Sequence, residues 1–162
     1  MKKLFVLVIV LFVAGFSCKE KDKCQIDKPG NIKPIDWENY NDTHTVYWNY
    51  TGDCSDFTIG QTDHIIKMYG WIFDPQSVRP HDFYLLSDSL FVEANNPKCA
   101  MVRIQCFYKE ALEAIQTKFD TSDLKRRCYV TGSLIIFDRP NNDCCFTTPT
   151  ITIMNADDVY FE

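Results

Sequence analysis

Histidine is scarce in this chain, with only His44, His64 and His81 among 162 residues. None stands at ligand spacing from the cysteines. The adjacent Cys144-Cys145 pair lacks the two-residue gap that tetrahedral zinc sites use, so no metal or other cofactor is implied. Also missing are a Gly-x-Ser-x-Gly elbow, a glycine-rich loop that would cradle phosphate, and a His-Glu-x-x-His pair. Asp157-Asp158 is a paired carboxylate only on paper. Neighbours in a strand point to opposite faces and cannot converge on one bond, so the pair reads as a turn or bulge. Catalysis finds no foothold, and the chain is not expected to be an enzyme. Internal repeats are absent too, which excludes solenoid and propeller architectures.

Positive charge is short where it would matter for nucleic acid. The chain carries 17 Lys+Arg against 22 Asp+Glu, a net −5. Seven of the lysines and three of the acids lie in residues 1–34, which leaves 10 basic and 19 acidic residues beyond, a net −9. That field repels a polyanion, and no Lys/Arg stripe with interleaved aromatics offsets it. Nucleic acid is therefore not an expected partner.

What is present begins with a processing signal. Lys2 and Lys3 precede an apolar run from Leu4 to Phe16, closed by Gly15-Phe16-Ser17-Cys18 and followed at once by the charged run Lys19 to Lys23. So short a run, with those flanks, reads as a signal peptide over 1–17 rather than a spanning helix. The cysteine after small Ser17 resembles the lipobox of bacterial lipoproteins, with Gly15 where Leu is commonest and Phe16 where a small residue is usual. The box and the Lys-Glu-Lys-Asp that follows resemble envelope lipoproteins of the Bacteroidota. That resemblance implies a diacylglyceryl group on Cys18, an acylated N-terminus, and durable attachment to the membrane through several acyl chains. The implied address is the cell envelope, at the outer membrane on its periplasmic or surface face.

Residues 18–34, rich in Lys, Asp, Pro and Gly, read as a flexible tether. Residues 35–162 have the length of a single domain. Their centre is Cys99 to Phe137: a strand at 99–107, an amphipathic helix at 108–119 and a strand at 128–137. In the first strand Ala100, Val102, Ile104 and Cys106 share one face. In the helix Leu112, Ile115 and Phe119 form an apolar stripe beside Glu110, Glu113 and Lys118. In the second strand Val130, Leu134 and Ile136 oppose Tyr129, Thr131, Ser133 and Ile135. Alternation also predicts strands at 44–50, 64–73, 82–86 and 148–154, the last resuming at 159–161, with loops at 74–81, 87–97 and 138–147.

From His64 onward the order is three strands, a helix and two strands, with Gly70 in the first and Gly132 in the fourth. This resembles the OB-fold, a five-stranded Greek-key barrel with one helix between strands 3 and 4. The expected fold is thus mainly β, OB-like, with an extra N-terminal strand at 44–50. A lipocalin-like barrel or a sandwich is the alternative, though neither has a natural use for a mid-chain helix. The nearest likeness is to OB-domain groups of small exported bacterial proteins.

Cys18 assigned to lipid leaves an odd seven. Cys106 and Cys128, on inward registers flanking the helix, are a candidate disulfide, while Cys54 and either of Cys144 and Cys145 sit in turns. Spacing alone does not decide connectivity. Three functions follow: a lipid-anchored binding or assembly module for a peptide, protein or glycan; a structural envelope lipoprotein with a protein partner; and an enzyme with a site outside known motifs. For the first, the ligand face is expected between loops 74–81 and 138–147, with Trp71, Tyr84 and Arg103 converging on one groove. Trp37, Tyr40, Trp48 and Tyr50 are the aromatics that a sugar-stacking platform would use, if they do not instead cover the core.

Overall fold

Residues of period two become strands. The computed structural model describes residues 28–73, 82–87, 100–106, 108–111, 113, 126–141 and 144–162. In chain order these form β1 (Asn41–Asp42), α1 (Thr43–Tyr50), β2 (Gly60–Phe73), β3 (Asp82–Leu86), β4 (Met101–Cys106), β5 (Arg127–Asn141), β6 (Cys144–Ile153) and β7 (Val159–Phe161). Single 3-10 turns occupy Cys54–Asp56 and Ala156–Asp158. The protein is mainly β, with one mixed seven-stranded sheet in the order β1-β2-β3-β4-β6-β5-β7. β2 also pairs with β5, so β2, β3, β4, β6 and β5 join in a ring. Every pairing in the ring is antiparallel except β4 with β6, which is parallel.

The ring's interior is what the alternation implied. Along β4, Val102, Ile104 and Cys106 are buried while Met101, Arg103 and Gln105 are only partly so. Ile66, Met68 and Ile72 from β2, Phe83 and Leu85 from β3, and Ile151 and Ile153 from β6 join them. Val130, Leu134 and Ile136 complete the core from β5. Each such aliphatic contributes about 1.5–3 kcal/mol on burial, which makes this cluster the main stabilising element.

Two glycines have a stated reason to be glycine. Gly60, where β2 begins, has φ 120°, a backbone region that side chains avoid. Gly132 has an ordinary φ, but its missing Cβ would lie 2.4 Å from the Thr152 carbonyl oxygen on β6. There the neighbouring strand, rather than a left-handed backbone, demands glycine.

The extra strand expected at 44–50 is a helix. Asp42 caps it, its Oδ1 accepting from the Thr45 amide at 2.7 Å and its Oδ2 from the Thr45 hydroxyl at 2.9 Å. Such a cap satisfies amides that open a helix and have no partner within it. Thr43, Val46, Tyr47 and Tyr50 recur at three- and four-residue steps, a helical stripe that the alternate residues of a strand reading hide. Val46 is fully buried in the core, and α1 packs against β2, β3, β4 and β6.

The mid-chain helix is seen at 109–111 and 113, with Ala111 buried in the core and Lys109 paired to Glu113 at 3.7 Å. Leu112, Ile115 and Phe119 lie outside the described residues. The expected 138–147 loop is instead mostly hairpin, β5 reaching Asn141 and β6 starting at Cys144. Asp157-Asp158 is a turn, and Asp158 Oδ2 accepts from the Met154 and Asn155 amides at 3.2 and 2.9 Å.

Candidate functional site

On the outside of the ring, opposite the buried rows, the outward residues of β3, β4, β6 and β5 frame a groove. Tyr84 on β3 stands directly across from Arg103 on β4, and Arg103 is level with Thr150 on β6, which faces Ile135 on β5. The groove encloses about 450 Å³. Besides Tyr84 and Arg103 it is lined by Met101 from β4, Thr148, Pro149 and Thr150 from β6, Phe137, Asp138 and Arg139 from β5, and Tyr47 from α1. Phe137 is 36% exposed, whereas Thr150 is almost wholly buried. One rung further along the same face, Gln105 is the register partner of Thr152. Gln105 Oε1 and Thr152 Oγ1 are both buried without a hydrogen-bond partner.

Of the three residues expected to converge, two do. Trp71 belongs to the same outer face but pairs in register with Leu86 and with Arg127. Its ring lies under the Arg127 guanidinium at 5.6 Å, away from the groove. The other expected frame, loop 74–81, lies outside the described residues. Asp138 and Arg139 were missed because 138–147 was read as loop, whereas Phe137, Thr148, Pro149 and Thr150 lie in expected strands that were not assigned to the groove. Continuing the alternation of β5 from Ser133 through Ile135 would have placed Phe137 and Arg139 on the same face.

The aromatics of the N-terminal segment do not form one platform. Trp48 meets Tyr47 at 4.9 Å on α1, and Tyr50 lies 6.5 Å from Phe57. Trp37 tilts against His64 at 4.8 Å. Tyr40 goes to the far side of the ring, edge-on to Tyr129 at 5.1 Å and to Tyr160 at 6.0 Å. Tyr129 and Tyr160 stack with centroids 4.7 Å apart, and Arg127 lies 5.4 Å from the Tyr69 ring. In this second cluster the ring faces are used by one another and by Arg127. Tyr129 donates to the Glu162 carboxylate, the first reason its phenol is held above the usual range. The Tyr160 phenol is pushed up to about 12, first by desolvation and then by its hydrogen bond with Tyr40.

The groove's α1 wall is fastened to β6. Cys54 and Cys145 form a disulfide, the outcome left open for Cys54 by its turn position. Asp53 bridges to Phe146, and the Thr147 amide donates to Gly52 O at 2.8 Å. The Thr147 hydroxyl donates to Tyr50 O at 2.8 Å and accepts from the Gly52 amide at 3.1 Å. Cys144 is also disulfide-bonded. Cys106 and Cys128 are not joined to each other: both are buried thiols. Cys106 is level with Ile153 and Cys128 with Gly70, on different neighbours of the ring, so facing inward did not bring them together. Burial pushes the Cys106 thiol up, and it donates to Tyr108 O at 3.4 Å. The end of the expected tether is also engaged, with Lys33 O accepting from Asn49 and Lys28 lying over the Phe57 ring. Cys18 lies outside the described residues.

Among the described residues no cluster of three or more His, Cys, Asp or Glu side chains is arranged to hold a metal ion. No protein family matches the chain, and no curated protein matches it significantly.

Proposed function

We propose that this protein is a lipid-anchored component of a bacterial cell envelope whose domain is a non-catalytic binding module with OB-fold topology. The OB reading is supported by the ring order β2-β3-β4-β6-β5, by its single parallel pairing, and by its stagger. Following the ladder from Phe73 through Tyr84 to Arg103, then through Thr150 and Ile135, one meets β2 again at Gln61. A closed sheet requires such a displacement between the two ends of the circuit. The observation that carries the binding reading is the amphipathic groove where Tyr84 faces Arg103, on the face that OB-folds use for ligands. Membrane attachment through Cys18 rests on the lipobox resemblance.

The test is saturable binding by the full chain in detergent, measured against envelope peptides and glycans. Tyr84→Ala and Phe137→Ala are expected to abolish it, while Tyr160→Phe on the far side leaves it unchanged. Binding that survives both groove variants would refute the assignment. For the anchor, Cys18→Ala is expected to shift the protein from the membrane to the soluble fraction and to remove the acyl mass from its N-terminal peptide. A structural envelope lipoprotein is the second reading, favoured by exposed Trp37 in the segment before β1, Ile65 on β2 and Tyr160 on β7, none of which lines the groove.

A further inference from the structure

We infer that Cys144 is joined to Cys24, so that the segment leading into the domain is stapled to the β5–β6 hairpin. The bridge stands apart from the proposed function; what it does at a membrane rests on the lipobox reading. The chain has eight cysteines. Cys54 and Cys145 hold each other, and Cys106 and Cys128 are buried thiols. Cys144 is itself disulfide-bonded, which leaves Cys18, Cys24 and Cys99 as partners to choose from. Acylation of the Cys18 sulfur would remove it from the choice, because a thioether has no thiol to exchange.

Between the other two, chain geometry decides. Carried back along both strands, the register of Arg103 with Thr150 sets Ala100 level with Thr147, three residues along β6 from Cys144. That is about 10 Å along the strand and about 5 Å across it, or about 11 Å between the Cα atoms of Ala100 and Cys144. One residue spans about 3.8 Å, and a disulfide needs Cα atoms within about 7 Å, so Cys99 falls short even if the chain steps straight toward Cys144. The N-terminal segment has no such obstacle. Lys28 lies over the Phe57 ring, and its Nζ is 3.0 Å from where a Cβ on Gly52 would stand. The turn between those two residues is held against the start of β6 by the Asp53–Phe146 bridge and the Cys54–Cys145 bond. Cys24 is four residues before Lys28, at most about 14 Å of chain. Cys144 and Cys145 are neighbours in a strand, so their side chains leave on opposite faces and take partners from two different segments.

Closing the bridge takes two protons and two electrons from the thiols of Cys24 and Cys144. Exchange with the disulfide of an envelope oxidoreductase accepts them and leaves that oxidant as a dithiol. With lipid on Cys18, the free leash is six residues, at most about 22 Å, instead of the ten to Lys28, about 36 Å. The hairpin that carries Phe137, Asp138 and Arg139 of the groove is thereby held close to the lipid surface.

The test isolates the full-length protein from bacterial membranes with thiols blocked by N-ethylmaleimide, then maps its peptides without reductant. A peptide holding Cys24 is expected to be linked to the one holding Cys144 and Cys145. Cys24→Ser is expected to expose one further reactive thiol, at Cys144, whereas Cys99→Ser leaves Cys144 bonded. Linkage of Cys144 to Cys99 or Cys18, or a Cys144 that stays bonded in Cys24→Ser, would overturn the inference. A protease site inserted between Pro29 and Gly30 then tests the leash. After cleavage the domain is expected to stay with the membranes until reductant is added, and in Cys24→Ser to leave without it. Release of the otherwise unaltered protein without reductant overturns the staple. If the uncut protein is already soluble while Cys24 maps to Cys144, the bridge stands and the anchor reading falls.

Discussion

Gly132 shows how a single residue records the neighbour it must admit. Its Cβ would sit 2.4 Å from Thr152 O and 2.7 Å from Ile151 Cγ2, and backbone in a paired strand has little room to give. Gly132→Val is therefore expected to destabilise the domain by about 1–3 kcal/mol, read as a lowered midpoint in urea; an unchanged midpoint would contradict the close approach of β5 to β6. The sequence marked the position as unusual but not the cause, since a glycine in a strand reads the same whether it bends the backbone or makes space. The tyrosines at the far side make a second residue-scale prediction. Folding favours the protonated Tyr160 phenol, whose value is raised from 10 to about 12. The stability this supplies is complete below pH 10 and is lost as pH rises through about 12. Tyr160→Phe is expected to flatten that alkaline fall in a series of thermal melts, and an identical pH profile for the variant would count against the shift.

Among elements, α1 is the most instructive, because aromatic and β-branched residues gave it the propensity of a strand. The contest was decided locally by Asp42, whose carboxylate takes both the amide and the hydroxyl of Thr45, and by burial of Val46 at the core. Val46→Asp is expected to cost several kcal/mol, enough to unfold most of the population. Asp42→Ala is expected to cost about 1 kcal/mol, and equal melting temperatures for wild type and both variants would show that α1 is not seated as described. Fastening by Cys54–Cys145 closes a loop across 91 positions, and Cys54→Ala with Cys145→Ala is expected to cost about 2–4 kcal/mol, measured by denaturant unfolding without reductant. Elements with clean alternation were legible: β3 as read, and β4 with its whole buried row. The β5–β6 hairpin was not, because Pro140, Asn141 and the paired cysteines carry turn chemistry although the ladder runs through Asn141 opposite Cys144.

At the scale of the molecule the two outer faces of the ring differ in what their side chains do. On one side Tyr129, Tyr160 and Tyr40 pack ring to ring, and Arg127 lies over the neighbouring Tyr69. On the other, Tyr84 and Arg103 open onto a groove built from four strands and α1. The mainly β class was legible from periodicity, and so was the convergence of Tyr84 and Arg103, two of the three residues expected to share a groove, on one face. The groove itself was not, since it depends on β6 lying parallel beside β4, a pairing between segments far apart in the chain that no local pattern encodes. The most direct measurement places a photo-crosslinking benzoylphenylalanine at position 84 or at position 160 in the full-length protein in its own membranes. The account predicts a discrete adduct on irradiation at 84 and none at 160; adducts at 160 alone, or at neither position, would contradict it.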